Sequence, residues 1–153
     1  MDSDTRYMQL ALAEANKALA MGEVPVGCVI VADGQVVGRG HNLTETLADV
    51  TAHAEMQAIT AATNTLGGKY LSQCTLYVTI EPCVMCAGAM IQSRIRKCYY
   101  GAKNDRFGVH LGPINLFEVS FNHKVEIDGG IMKEECSKLI SDFFKNLRNN
   151  KDS

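Results

Sequence analysis

Apolar residues at Met8, Leu12, Ala15 and Leu19 recur at helical spacing, and Gly22 ends the run, so an N-terminal helix is predicted over residues 4–21. Residues 26–32 and 35–40 are β-rich, and Asp33-Gly34 between them is a strong two-residue hairpin signal; they predict antiparallel strands. A second helix is expected over residues 52–64, with Thr51 as N-cap, Met56, Ile59 and Ala62 or Thr63 on its packing side, and Gly67-Gly68 as the break. Residues 74–80 predict a strand leading into Glu81-Pro82. Residues 83–93 follow as a third helix, whose Ala87, Gly88 and Ala89 would let it lie close to its neighbours. Residues 95–101 read as a further strand, and a strand–helix–strand crossing of this kind favours parallel pairing. Residues 101–116 have loop composition, residues 123–128 read as a short strand, and residues 132–149 as a closing helix. The stripe of that helix, Cys136, Leu139, Ile140, Phe143, Phe144 and Leu147, is expected to be mostly core. The predicted fold class is α/β, a three-layer α/β/α sandwich with a central mixed sheet.

At 153 residues, 46% hydrophobic and 21% charged, the chain fits one globular domain spanning residues 1–153. The polar, acidic start MDSDTRYMQ and the strand-sized apolar runs predict neither a signal peptide nor a spanning helix, so a cytoplasmic address and no membrane partner are expected. Six cysteines in such a chain read as thiols, and Cys28, Cys74, Cys98 and Cys136, in apolar or amphipathic runs, as small buried hydrophobes. The net charge of −2 argues against indiscriminate binding to nucleic acid. Its distribution is uneven: residues 1–93 carry 4 basic and 9 acidic groups, whereas residues 94–106 (RIRKCYYGAKNDR) carry 5 basic and 1 acidic. Residues 138–153 add Lys138, Lys145, Arg148 and Lys151 against Asp142 and Asp152. Such runs form either a solvated face or a local phosphate-binding rim.

The chemistry concentrates in His53-Ala54-Glu55 and, 26 residues later, Pro82-Cys83-Val84-Met85-Cys86. A catalytic zinc takes three protein ligands and keeps a fourth position for water, and His53, Cys83 and Cys86 supply such a set. With Pro82 in the first turn of the third helix, both sulfurs face one way from its N-terminus, where the helix dipole favours thiolates. Two helix N-termini aimed at one Zn2+ are therefore expected. Glu55 is left free for proton transfer, and backbone donors near Ala54 and Cys83 would support a tetrahedral intermediate. A lone C-x-x-C is also compatible with a structural zinc or a redox motif, but no second pair closes a four-ligand site. H-x-E followed by P-C-x-x-C is the pattern of zinc nucleobase deaminases, where zinc acidifies a water and the Glu shuttles protons. A zinc-stabilised RNA-binding module without turnover is the reading from a different class. His41 reads as structural; Asn42, by itself, reads as a turn residue or as a donor–acceptor for a base and its ribose.

The runs GEVPVGCVIV (22–31), GHN (40–42), TAHAEMQAI (51–59), LYVTIEPCVMCAGAMIQSRI (76–95), FNHKVEI (121–127) and DFFKNLR (142–148) resemble the bacterial tRNA-specific adenosine deaminases over nearly the whole chain. That resemblance implies a cytidine deaminase-like fold, a homodimer, and conversion of adenosine to inosine at the wobble position of a tRNA anticodon loop. It also implies that Asn42 contacts the target nucleoside and that the last helix, with Phe144 and Arg148, borders the RNA. The zinc motif alone serves cytosine, cytidine, guanine and triazine deaminases equally. The chain departs from the family pattern at residues 101–116, where Asn104 stands at a position that usually holds Asp. An amide there donates and accepts, whereas a carboxylate only accepts, so Asn104 is either a discriminating contact to the sugar and backbone or one more turn residue.

Overall fold

The structure, a computed structural model, describes residues 1–151. Its centre is a five-stranded sheet in the order β2-β1-β3-β4-β5. β1 (Gly27–Ala32) and β2 (Gln35–His41) form the predicted hairpin; Ala32 faces Gln35, and Asp33 and Gly34 both take positive φ, 51° and 73°. That is the geometry of a two-residue turn matched to strand twist. β3 (Cys74–Ile80) is antiparallel to β1 and parallel to β4 (Lys97–Ala102), which pairs in parallel with β5 (Glu126–Gly129). The sheet is therefore mixed, with the hairpin antiparallel and the β3–α3–β4 crossing parallel, as expected. The last strand starts three residues later than predicted; His123 instead bonds the Ile95 carbonyl through Nε2 at 2.6 Å.

Alternation along the strands sorts side chains into two cores. Cys28, Ile30, Leu76 and Val78 pack with α2 (Ala54–Leu66) and α3 (Val84–Gln92), while Val29, Val31 and Tyr77 pack with α1 (Ser3–Ala20) and α4 (Lys133–Lys151). The three-layer α/β/α sandwich follows. Met56 and Ile59 lie against the first core, but the most buried line of α2 is Ala54, Glu55, Ala58 and Ala62. Small residues are needed there because α2 presses on β2 at Gly38 and Gly40: a Cβ at Gly40 would fall 2.4 Å from the Ala54 carbonyl oxygen, and one at Gly38 2.4 Å from that of Ala58. In α3 Ala87 is buried, whereas Gly88 has open space around it and is not a close-approach residue.

Three expectations change at helix ends and in α4. Thr51 does not cap α2; its amide and hydroxyl both bond Asp49 Oδ1, at 2.8 and 2.7 Å, and this turn delivers His53 to the N-cap two residues later. Pro82 likewise lies before the cap of α3, which is Cys83. The apolar stripe of α4 is not core beyond its start: Cys136 is buried, but Phe144 and Leu147 are 40% and 43% exposed. A 19-residue helix is about 28 Å long and outruns the six-residue β4 on which it packs, about 20 Å. No helix among the described residues is long and apolar enough to cross a membrane.

Gly40→Ala is expected to lower stability by about 1 to 3 kcal/mol, the usual range for overpacking. For a domain of this size the corresponding drop in Tm is about 2 to 10 °C by thermal denaturation. An unchanged Tm would show that α2 can retreat from β2 without cost.

Candidate metal centre

Strand registers place four loops at one edge of the sheet. Gly27 faces His41 across β1 and β2, Cys28 faces Val78 across β1 and β3, and Ile80 faces Ala102 across β3 and β4. The loops that follow or precede these residues carry Glu23, Asn42, His53, Glu81, Cys83 and Asn104. His53 and Cys83 stand at the N-cap positions of α2 and α3, both with extended backbone, and neither side chain caps its own helix. Each side chain is left to point outward from the first turn of its helix, whose amides have no intrahelical acceptor.

His53 Nδ1 lies 3.6 Å from Cys83 Sγ and 3.5 Å from Cys86 Sγ, and the three ligand atoms lie within 4.8 Å of one another. Zinc–sulfur and zinc–nitrogen bonds of about 2.3 and 2.05 Å at a tetrahedral angle put nitrogen and sulfur about 3.6 Å apart, so the donor set fits that ion. The ionisation pattern fits as well. A hydrogen bond from Cys86, reinforced by one from His53, holds the Cys83 thiol down to about 4, and the same bond to Cys83, with burial, pushes Cys86 up. A divalent cation among them would let both sulfurs ionise. The other four cysteines are free and buried, and desolvation pushes the Cys28 and Cys98 thiols up, as inert packing residues require.

Glu55, in the first turn of α2, is 3% exposed, and desolvation pushes its carboxyl up to about 7. A carboxyl in that range both takes and returns a proton near neutral pH. Asn42 is buried beside this helix start: its Oδ1 accepts from the Thr44 amide at 3.3 Å and its Nδ2 donates to the Val24 carbonyl at 3.4 Å. Both are longer than strong N–H···O bonds, which leaves the amide able to exchange them for a ligand. Ala54 is fully buried at the first position of α2. Asn104 closes a turn, with Oδ1 accepting from the Phe107 amide at 3.1 Å. Phe144, its ring 5.3 Å from that of Phe143, and Arg148 are exposed on α4, in the layer across the sheet from α2 and α3. His41 bonds Glu14 Oε1 through Nδ1 at 3.2 Å.

The basic run at residues 94–106 does not form one rim, because β4 divides it. Arg94 sits over the Tyr70 ring at 4.8 Å, Arg96 donates to Thr75, and Lys97 pairs with Asp128 at 2.9 Å, all at the edge away from the metal cluster. Lys103 and Arg106 remain at the metal edge.

Three buried carboxylates, Glu14, Glu23 and Glu81, were not singled out by pattern, and the last two bind loop amides. Glu23 accepts from the amides of Glu45 and Thr46, at 3.0 and 2.6 Å. Burial opposes its ionisation, yet bonds from Thr46 and Glu45 hold its pKa below the usual range. Glu81 accepts from the amides of Asn104 and His110, at 3.1 and 2.8 Å, and pairs with Lys103 at 3.0 Å. The available signal was a lone acid at the border of each β-rich run, in EVP and EPC.

The chain matches the MafB19-like deaminase family over residues 2–148. It is similar to the tRNA-specific adenosine deaminase of Bacillus subtilis (strain 168), 45% identical over 152 residues that cover 99% of this chain and 94% of that protein. With the protein of the same name from Aquifex aeolicus (strain VF5) it shares 46% identity over 145 residues, covering 94% and 95% respectively. Among solved structures, one from a study of A-to-I editing by tRNA:A34 deaminases at the wobble position of transfer RNA superposes with a TM-score of 0.85 at 41% identity, covering 88% of this chain and 99% of that one. The guanine deaminase from Nitrosomonas europaea shares the fold at a TM-score of 0.83 and 22% identity, covering 94% and 85%. Identity of this level from end to end, on a common cytidine deaminase-like sandwich, means that the chain belongs to the tRNA-specific adenosine deaminase family.

Proposed function

We propose that this protein deaminates adenosine to inosine hydrolytically in a tRNA anticodon loop, at the wobble position, with one zinc ion per chain held by His53, Cys83 and Cys86. The observation that carries the chemistry is the buried Glu55 carboxyl in the same helical turn as the His53 ligand position, beside two facing thiols. When bound, zinc supplies a water acidified enough to act as a nucleophile at neutral pH. Glu55 takes a proton in the pocket, delivers it to the purine ring nitrogen beside C6, and passes a proton to the departing ammonia. Its desolvated setting keeps both protonation states within reach. The first-turn amides at Ala54 and near Cys83 face the developing charge, and Asn42 orients the nucleoside through its amide.

Likeness to relatives named for tRNA, rather than the metal cluster, supports the substrate. The same likeness supports a homodimer, a cytoplasmic address and RNA contacts by Phe144 and Arg148. Asn104 faces the sugar and backbone in this reading: its Oδ1 is committed to the turn, and its Nδ2 is the donor a carboxylate at that position lacks. Incubation with total tRNA, free nucleosides and guanine, read by mass spectrometry for inosine, uridine and xanthine, is expected to give inosine in tRNA. Xanthine or uridine alone would replace this substrate by guanine or cytidine.

Cys83→Ala and Cys86→Ala are each expected to lose most of the zinc, measured by metal analysis of the purified variants. Full occupancy in either would move the site elsewhere. Glu55→Ala is expected to fold, keep its zinc and lose about 10² to 10⁴ in rate, the span of general acid–base groups. Loss of metal together with activity would make Glu55 a ligand. Asn104→Asp is expected to widen the preference for an RNA over a matched DNA stem-loop, because the carboxylate favours a 2′-hydroxyl donor and repels phosphate. A ratio of rates that does not move on this substitution returns Asn104 to a turn residue.

A further inference from the structure

Glu81 is buried, lies two residues before Cys83 and is used by no step of the proposed reaction. Its partners all belong to one loop. Oε1 accepts from the Asn104 amide at 3.1 Å and pairs with Lys103 Nζ at 3.0 Å, while Oε2 accepts from the His110 amide at 2.8 Å. Lys103 Nζ also donates to the His110 carbonyl at 2.8 Å, drawing the two ends of the loop together. Gly108 lies directly on the carboxylate; a Cβ there would fall 2.3 Å from Glu81 Cδ. One side chain thus fixes the start, the middle and the end of residues 103–110.

The loop so held has an exposed tip of nucleic-acid character. Asn104 Oδ1 accepts from the Phe107 amide and the Gly108 amide donates to the Asn104 carbonyl at 3.0 Å, which closes a tight turn. Arg106 and Phe107 stand outward on it, with Phe107 64% exposed. A guanidinium beside an unburied ring is suited to a phosphate next to an unstacked base. By strand register the loop springs from the C-terminal end of β4, the sheet edge at which His53, Cys83 and Cys86 gather. A strand end can be buried with an apolar residue at no electrostatic cost, whereas a buried carboxylate is tolerated only when its partners are good. The partners here are the loop.

We propose that Glu81 is a positioning residue for the RNA substrate: it seats the 103–110 loop at the metal edge so that Arg106 and Phe107 meet the nucleotides flanking the target adenosine. This rests on the tRNA deaminase reading above. Glu81 acts on the RNA through the loop and makes no contact with the metal or the reacting base. Its removal therefore acts on substrate binding and not on the chemical step.

Glu81→Gln tests this, because a glutamine keeps the length but can accept at only one end of the loop and sets its own N–H₂ against an amide N–H at the other. The variant is expected to hold as much zinc as the wild type and to exchange the amide hydrogens of residues 103–110 faster. On a tRNA anticodon stem-loop its KM should rise about 10-fold to 100-fold while kcat stays within about threefold, as expected when misplacement removes ground-state and transition-state binding equally. An equal fall in kcat with KM unchanged, or lost zinc, assigns Glu81 to the metal centre and overturns the proposal; faster exchange with KM unchanged makes Glu81 purely structural and also overturns it. Should Glu81→Gln not fold, Gly108→Ala displaces the loop with the carboxylate intact and must give the same split. Stem-loop binding by fluorescence anisotropy keeps the two readings separate. A wild type that binds but forms no inosine refutes the deaminase reading, while the ratio of wild-type to variant affinity still decides the role of Glu81.

Discussion

The site depends on two helices starting at the same point on one sheet edge. His53 and Cys83 occupy cap positions that Ser, Thr, Asp or Asn usually fill, and neither satisfies its own helix. The cost is two helix starts without side-chain caps. The gain is that these side chains leave the helix ends in the direction in which the first-turn amides also point, so thiolates and developing negative charge lie in the favourable half of two helix dipoles. Gly38 and Gly40 make this geometry possible on the α2 side. Backbone pressed against backbone at 2.4 Å from a would-be Cβ leaves α2 no freedom to slide, and His53 and Glu55 take their places from that contact.

Much of this was legible in the sequence where the signal was local. The hairpin followed from Asp33-Gly34 because two positive φ values in a row admit few other residue pairs. The clustering of His53, Cys83 and Cys86 followed from residue chemistry, since a chain with one H-x-E and one P-C-x-x-C offers few other groupings. Helix starts were misplaced by one or two residues because Thr51 and Pro82 are good start signals that serve the turn before the cap instead. The stripe of α4 was legible as amphipathic, but whether a stripe is covered depends on the length of the strand beneath it, and β4 is shorter than the helix.

Charge was the least legible property, because it is read along the chain and acts across space. The run RIRKCYYGAKNDR is one block in sequence, yet the extended strand inside it carries its two halves to opposite edges of the sheet. Arg94, Arg96 and Lys97 find partners at the far edge, and the metal edge keeps Lys103 and Arg106. A strand of six residues spans about 20 Å, well beyond a Debye length of about 8 Å at physiological ionic strength, so the two halves do not act as one field.

Glu23 and Glu81 show why a deaminase of this size buries acids at its working edge. The loops there are not regular secondary structure, and their amides lack ladder partners. Water would satisfy those amides but would leave the loops free to move. A buried carboxylate offers several acceptor positions at a fixed place, and each acid here takes two loop amides at 2.6–3.1 Å, Glu23 from residues 45 and 46 and Glu81 from residues 104 and 110. The side chain does for an irregular loop what a neighbouring strand does for a regular one. Glu23 stands beside the loop that begins at Asn42, and Glu81 holds the loop that begins after Ala102; between them α2 and α3 bring in His53, Cys83 and Cys86. The helix starts are set by contacts that cannot slide and the loops by side chains that tie them down. Each tie is a single acid whose loss would free one loop and leave the ligand geometry in place.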